Sequence, residues 1–112
     1  MSIDFDGQEI ETTATGYLVN GEDWSEDLAK HMAAADGITL TDAHWDIINF
    51  LRAEYYDNGE NQPNTRAIVK AMTEAWGHDT DTTALYELFP LDPSKQGGRI
   101  AGVPESRRKG GY

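Results

Sequence analysis

The sequence predicts an α+β domain that is mostly helical. An N-terminal β-hairpin or meander packs on an array of about five helices, and an extended C-terminal arm follows. Three observations lead there. Apolar and polar residues alternate on both sides of Asp6-Gly7, the period of a half-buried strand. Between residues 25 and 89, apolar residues recur at helical spacing, and each stretch is bounded by a capping residue and a stop. From Lys95 onward, glycines and basic residues take over.

In chain order, Ile3-Asp4-Phe5 alternates, Asp6-Gly7 is a tight-turn dipeptide that tolerates positive φ, and Ile10 resumes the alternation. Residues 16–19 offer a third short strand, closed by Asn20-Gly21. Ser25 caps the first helix, with Glu26 and Asp27 at its positive end, Leu28, Met32 and Ala35 inward, and Asp36-Gly37 as the stop. Thr41 caps the second helix. Trp45, Ile47, Ile48, Phe50, Leu51, Tyr55 and Tyr56 cover more than one of its faces, which predicts a central position. Asn58-Gly59 ends it. Asn64 or Thr65 caps the third helix, with Ile68, Val69, Met72, Ala75 and Trp76 inward and Gly77 as the stop. Residues 82–89 form a short fourth helix that Pro90 and Pro93 end. A fifth starts near Ser94, weakened by Gly97 and Gly98 at about 1 kcal/mol each relative to Ala.

Composition narrows the function. The 112 residues suit one domain, divided as a globular part at 1–94 and a flexible basic arm at 95–112. Without cysteine there is no disulfide, thiolate ligand or thiol redox chemistry. No apolar run approaches a bilayer span, so no membrane role is expected. Met1 to Asp6 is acidic and does not read as a signal peptide; a cytoplasmic protein is the simplest expectation. Residues 1–94 carry a net charge of −15 and residues 95–112 a net +4, together the −11 of the whole chain. An acidic body repels nucleic acid. A basic arm on such a body folds back on it or seeks an acidic partner.

The three histidines, His31, His44 and His78, make no metal-binding spacing. His44 is read as a structural residue near the start of the second helix. No P-loop, dinucleotide fingerprint or Ser-His-Asp arrangement is present, and the carboxylates are too many for any pair to stand out. No metal and no cofactor are expected, nor is enzymatic activity.

The arm carries the strongest signal. Lys95-Gln96-Gly97-Gly98-Arg99-Ile100-Ala101-Gly102-Val103-Pro104 resembles the arm of the DsrC/TusE/DsvC family of sulfur-relay proteins, which are similar to the gamma subunit of dissimilatory sulfite reductase. That arm reads K-Q-x-C-[K/R]-x-A-G-[L/I/V]-P and has a second cysteine one residue before its end. Here Gly98 stands at the first cysteine position and Gly111 at the second. Gly16-Tyr17-Leu18, Asp23-Trp24, the block from His44 to Arg52, and Leu85-Tyr86-Glu87-Leu88-Phe89-Pro90 extend the resemblance over most of the chain.

The resemblance implies sulfur transfer to or from a sulfite reductase, or within tRNA 2-thiolation, and an arm that inserts into a partner's cleft. It also implies that members without arm cysteines are regulatory. A persulfide carrier needs a thiolate that attacks, holds and releases sulfur, and glycine has no side chain. The expectation is therefore a cysteine-less, non-catalytic member that regulates or competes in sulfur metabolism by docking to a sulfite-reductase-like or sulfur-relay protein. Lys95, Gln96, Arg99, Ile100, Gly102 and Pro104 would form the partner-binding arm; the alternative is that they pack back on the body. A second reading takes the two helices between Thr41 and Trp76 as a helix-turn-helix-like pair that binds DNA through Arg66 and Lys70. The plain alternative there is a solvated helix face.

Overall fold

The computed structural model describes residues 1–105. Gly111 and the basic residues Arg107, Arg108 and Lys109 lie outside the described residues. Strands β1 (Ser2–Phe5) and β2 (Gln8–Glu11) pair antiparallel with Ile3 opposite Ile10. Their turn uses Asp6 at φ 51° and Gly7 at φ 76°, the two positive φ values of a type I′ hairpin. The expected third strand shrinks to one bridge between Thr12 and Leu18. Gly16 turns the chain at φ 88°, and Asn20 then starts a 3₁₀ turn over Gly21–Asp23. Little chain is left beside β2.

Five helices follow among the described residues: α1 (Glu26–Ala35), α2 (Asp42–Tyr56), α3 (Thr65–Trp76), α4 (Thr82–Leu88) and α5 (Pro93–Ile100). The caps at Ser25 and Asn64 fall where the local signals put them, and Asp81 adds a cap to α4 beyond those expected. Ser25 accepts from Leu28 N–H, Asn64 from Ala67 N–H and Asp81 from Ala84 N–H, and Gly77 ends α3 in the left-handed region. The inward stripes differ in detail. On α1 the buried residues are Leu28, Ala29, Met32 and Ala33, and Ala35 faces out. On α3, Ala71 packs against the core and Ala75 is exposed. A step of about 100° per residue moves an alanine one position off the stripe to the helix flank. On α2, Ile47, Ile48 and Leu51 are buried, whereas Tyr56 is 46% exposed.

The largest departure concerns α5. It packs against α1, α2, α3 and α4, and Gln96, Gly97, Gly98, Ile100, Ala101, Gly102 and Val103 are all buried. Of the two readings of this segment, residues 95–103 take the second and pack back on the body. The line drawn between residues 94 and 95 falls in the first turn of α5. Asp92 caps that turn, accepting from Ser94 and Lys95 N–H, and Pro93 occupies its first position, where a missing N–H costs nothing. The glycines that weaken the helix also thin it. A Cβ on Gly97 would lie 3.2 Å from Leu51 Cδ1 and 3.7 Å from the Phe89 ring, so bare backbone lets both side chains close on the helix.

Beyond α5 the chain turns at Gly102, φ 77°. A Cβ there would come within 2.6 Å of Trp24 Cγ. Gly102→Ala combines an unfavourable backbone with overlap of the half-buried Trp24 ring, and should cost at least about 2 kcal/mol, read as a lower urea midpoint at unchanged m. A loss below about 0.5 kcal/mol would show that this turn relaxes freely.

His44 ties α2 to the end of α4. Its Nδ1 accepts Thr41 N–H at 3.0 Å, and its Nε2 lies 2.9 Å from Leu88 O. A carbonyl only accepts, so Nε2 carries the proton and the ring is neutral. Burial pushes the His44 pKa below the ordinary value, against the raising effect of the Leu88 carbonyl. The unfolded ring titrates near 6.5. Between the folded pKa and that value the unfolded chain binds more protons. Stability from this group is therefore complete above the window and falls as pH drops through it. Urea stability should decline from neutral pH toward acid by at most about 1.4 kcal/mol per pH unit through His44, and His44→Gln should flatten that slope. A slope that survives the substitution would move the effect to the carboxylates.

Candidate functional site

The end of α5 and the turn after it are held by a ring of donors from distant segments. The last carbonyls of a helix lack partners inside the helix. Here Val103 N–H donates to Gly98 O and Gly102 N–H to Arg99 O. The carbonyls that follow are taken by side chains. Trp24 Nε1 donates to Ile100 O at 2.9 Å, Arg52 Nη1 to Ala101 O at 2.9 Å and Tyr56 OH to Gly102 O at 2.9 Å. Gln62 Nε2 reaches Pro104 O at 2.7 Å, and at the other end Tyr17 OH reaches Lys95 O at 3.1 Å. Burial, then the charge of Glu105, raises the Tyr17 phenol above its usual value, so it stays a neutral donor.

Arg52 organises this cradle. Its guanidinium lies 3.8 Å from the centroid of the Trp24 ring and 4.9 Å from that of Tyr56, a cation held between two π faces. A cation at the carboxyl end of a helix also suits the helix dipole. On the opposite side, Asp36 accepts from Gln96 Nε2 at 3.0 Å and pairs with Arg99 Nη2. Gln96 completes its own inventory by accepting Leu91 N–H at 2.9 Å, as a buried amide must.

The residues expected to bind a partner are placed as follows. Lys95 and Arg99 are half-buried, Gln96, Ile100 and Gly102 are buried, and Pro104 is exposed. Four of the six hold the fold together. Gln96 and Arg99 bind Asp36, Ile100 fills the core and Gly102 makes the turn. Packing alone accounts for much of the arm motif. Arg66 and Lys70 are exposed on α3, with Glu74 a turn further on, so the face proposed for DNA carries both signs of charge. Among the described residues no group of three or more His, Asp or Glu side chains is arranged to hold a metal ion, and no helix is long and apolar enough to cross a membrane.

Gly98 borders a small cleft with Tyr17, Leu51, Lys95, Pro63 and Val103. Its volume is about 20 Å³, room for roughly one water. A Cβ at position 98 would meet one neighbour within 4 Å, Val103 Cγ2 at 3.2 Å. A short side chain fits there with a shift of a few tenths of an ångström. The position keeps the space for such a side chain and lacks an atom to do chemistry in it.

Sequence reasoning does not single out the cradle donors. Tyr17, Trp24 and Arg52 lie inside blocks that carry the resemblance, and nothing in those blocks gives them a role. No local pattern marks a side chain as the partner of a carbonyl 42 to 78 positions away.

Comparison with known proteins agrees along nearly the whole described chain. The family model described as "DsrC like protein" matches residues 4–108. The protein named sulfurtransferase TusE of Yersinia pestis is 44% identical over 104 residues, covering 92% of this chain and 94% of that protein. The solution structure of Allochromatium vinosum DsrC superposes with a TM-score of 0.85 at 39% identity, covering 96% of each chain. The oxidized gamma subunit of the dissimilatory sulfite reductase from Archaeoglobus fulgidus superposes with a TM-score of 0.87 at 30% identity, covering 96% of this chain and 98% of that one. With the helical array, the hairpin and the retained arm motif, these similarities establish that the chain belongs to the DsrC-like family.

Proposed function

We propose that this chain is a binding member of the DsrC-like family that does not carry sulfur. It regulates or competes in sulfur metabolism by docking to a sulfite reductase or a sulfur-relay protein. One observation carries the reading: a glycine occupies the thiol position of an arm whose supporting cradle is complete. A sulfurtransferase needs a thiolate to hold the sulfane atom and release it by exchange, and the whole chain has no cysteine. What remains is the family's shape, with Lys95 and Pro104 on the accessible side of the arm. The gamma-subunit name of one relative supplies a sulfite reductase as one kind of partner, and the sulfurtransferase name of another supports a second kind, a protein that passes sulfur on.

The alternative reading as a DNA-binding regulator is weaker on charge. Duplex binding needs several phosphate-neutralising cations on one face. Arg66 and Lys70 provide two, beside Glu74, on a body with a net charge of −15.

Two experiments test the proposal. Incubated with a cysteine-desulfurase persulfide donor, the purified chain should show no gain of sulfur by intact mass, whereas Gly98→Cys should gain one sulfur atom that dithiothreitol removes. A stable gain on the unaltered chain would end the non-carrier reading. For docking, the chain should displace a labelled cysteine-bearing DsrC from its sulfite reductase, or a labelled TusE from its relay partner, and Lys95→Glu should weaken that displacement at least threefold. No displacement at tenfold excess would reject competition at a shared surface. Deleting residues 95–112 is not a usable test, because it removes α5 from the core.

A further inference from the structure

A second surface lies beside the arm and shares Arg52, Tyr56 and Gly102 with the carbonyl cradle. An open groove of about 730 Å³ runs between the loop after β2 and the end of α2, bordered by Val19, Glu22, Arg52, Tyr55, Tyr56 and Glu105. Of the four large hydrophobic residues exposed among the described residues, two, Val19 at 56% and Tyr56 at 46%, sit in it. Scattered exposed apolar residues need no explanation; their convergence on one concavity does.

We propose that this groove docks a partner protein that presents an extended segment rich in arginine and lysine. The chemistry of its walls favours that occupant. Tyr55 and Tyr56 both line the groove and meet edge to face at 5.0 Å; the Tyr56 ring already takes the Arg52 guanidinium, so Tyr55 is the ring offered to a guanidinium or ammonium group of the partner. Glu22 and Glu105 line the rim, and Glu60 accepts from the Tyr55 hydroxyl at 3.4 Å. Among the described residues Arg52 is the one cation in the lining, and its guanidinium is already engaged by Trp24, Tyr56 and Ala101 O. The net charge of −15 on residues 1–94 steers a cationic segment toward the surface, while the rings and rim carboxylates select where it settles. One wall of the groove is the arm itself, through Gly102, Pro104 and Glu105. A segment bound there and an arm packed on the body therefore stabilise each other reciprocally. This inference needs neither sulfur nor release of the arm, so it stands apart from the reading above.

The test uses the full chain and a fluorescein-labelled octa-arginine peptide, followed by fluorescence anisotropy at 150 mM salt, with octaglutamate as the control. The arginine peptide should bind in the micromolar range and octaglutamate should not bind. Tyr55→Ala should weaken binding at least fivefold, and Tyr55→Phe, which keeps the ring, should restore most of it. Glu22→Gln should weaken it at least threefold. Asp42→Asn, which removes an exposed carboxylate at the opposite end of α2, should leave it unchanged. Absence of binding overturns the proposal. So does an equal loss for Asp42→Asn and Glu22→Gln, which would mean diffuse attraction to an acidic surface. A fivefold gain on replacing Arg107, Arg108 and Lys109 by serine in the full chain would assign the groove to the chain's own C-terminal segment and also overturn the proposal.

Discussion

Capture of the α5 carbonyls by the body is the interaction on which the rest of the molecule depends. Helix α5 touches each of the other four helices, so its position sets theirs. It reaches that position because Gly97 carries no side chain where Leu51 and Phe89 close on it and Ile100 is fully buried. Burying the end of a helix is costly unless its carbonyls find donors, at about 1–3 kcal/mol for each one left unpaired. Trp24, Arg52 and Tyr56 supply those donors from the turn before α1 and from α2. Local weakness of the helix is thereby offset by tertiary contacts, the usual source of stability for a short helix.

This arrangement changes what the arm motif means. Gln96, Arg99, Ala101 and Gly102 match the family pattern, and each packs or hydrogen-bonds within the described structure. A chain that had ceased to transfer sulfur would still need them in order to fold. Persistence of the motif is therefore no argument for transfer. The informative position is Gly98, where only a small cleft adjoins the residue and no structural demand for glycine as strong as the one at Gly102 is visible. The ideal Cβ at 98 meets a movable side-chain methyl, whereas at 102 it meets an indole ring and a positive φ.

Much of the fold is legible in the sequence because its signals are local. The Asp6-Gly7 turn, the caps at Ser25 and Asn64, and the stop at Gly77 each concern hydrogen bonds spanning two to four residues, and the sequence carries both partners side by side. The alanines of α1 and α3 fall a step away from their expected places, since a small residue adds little to an apolar stripe and so marks its edge poorly. The third strand fails because alternation over four residues does not report that the chain will turn away at Asn20. Residues 95–103 read as an arm since glycine and charge usually signal mobile chain; here the glycines serve close packing and the charge of Arg99 is paired with Asp36.

The sequence alone determined the local elements, the acidic body, and above all the missing thiol, which no conformation can restore. Tertiary structure alone decided that the arm's first half is core, that Trp24, Arg52, Tyr56, Tyr17 and Gln62 converge on its carbonyls, and that an aromatic, acid-rimmed groove opens beside it. The division follows from range. Capping and turn chemistry act between near neighbours in the chain, while the cradle joins groups 42 to 78 residues apart, and their meeting depends on how every helix between them packs.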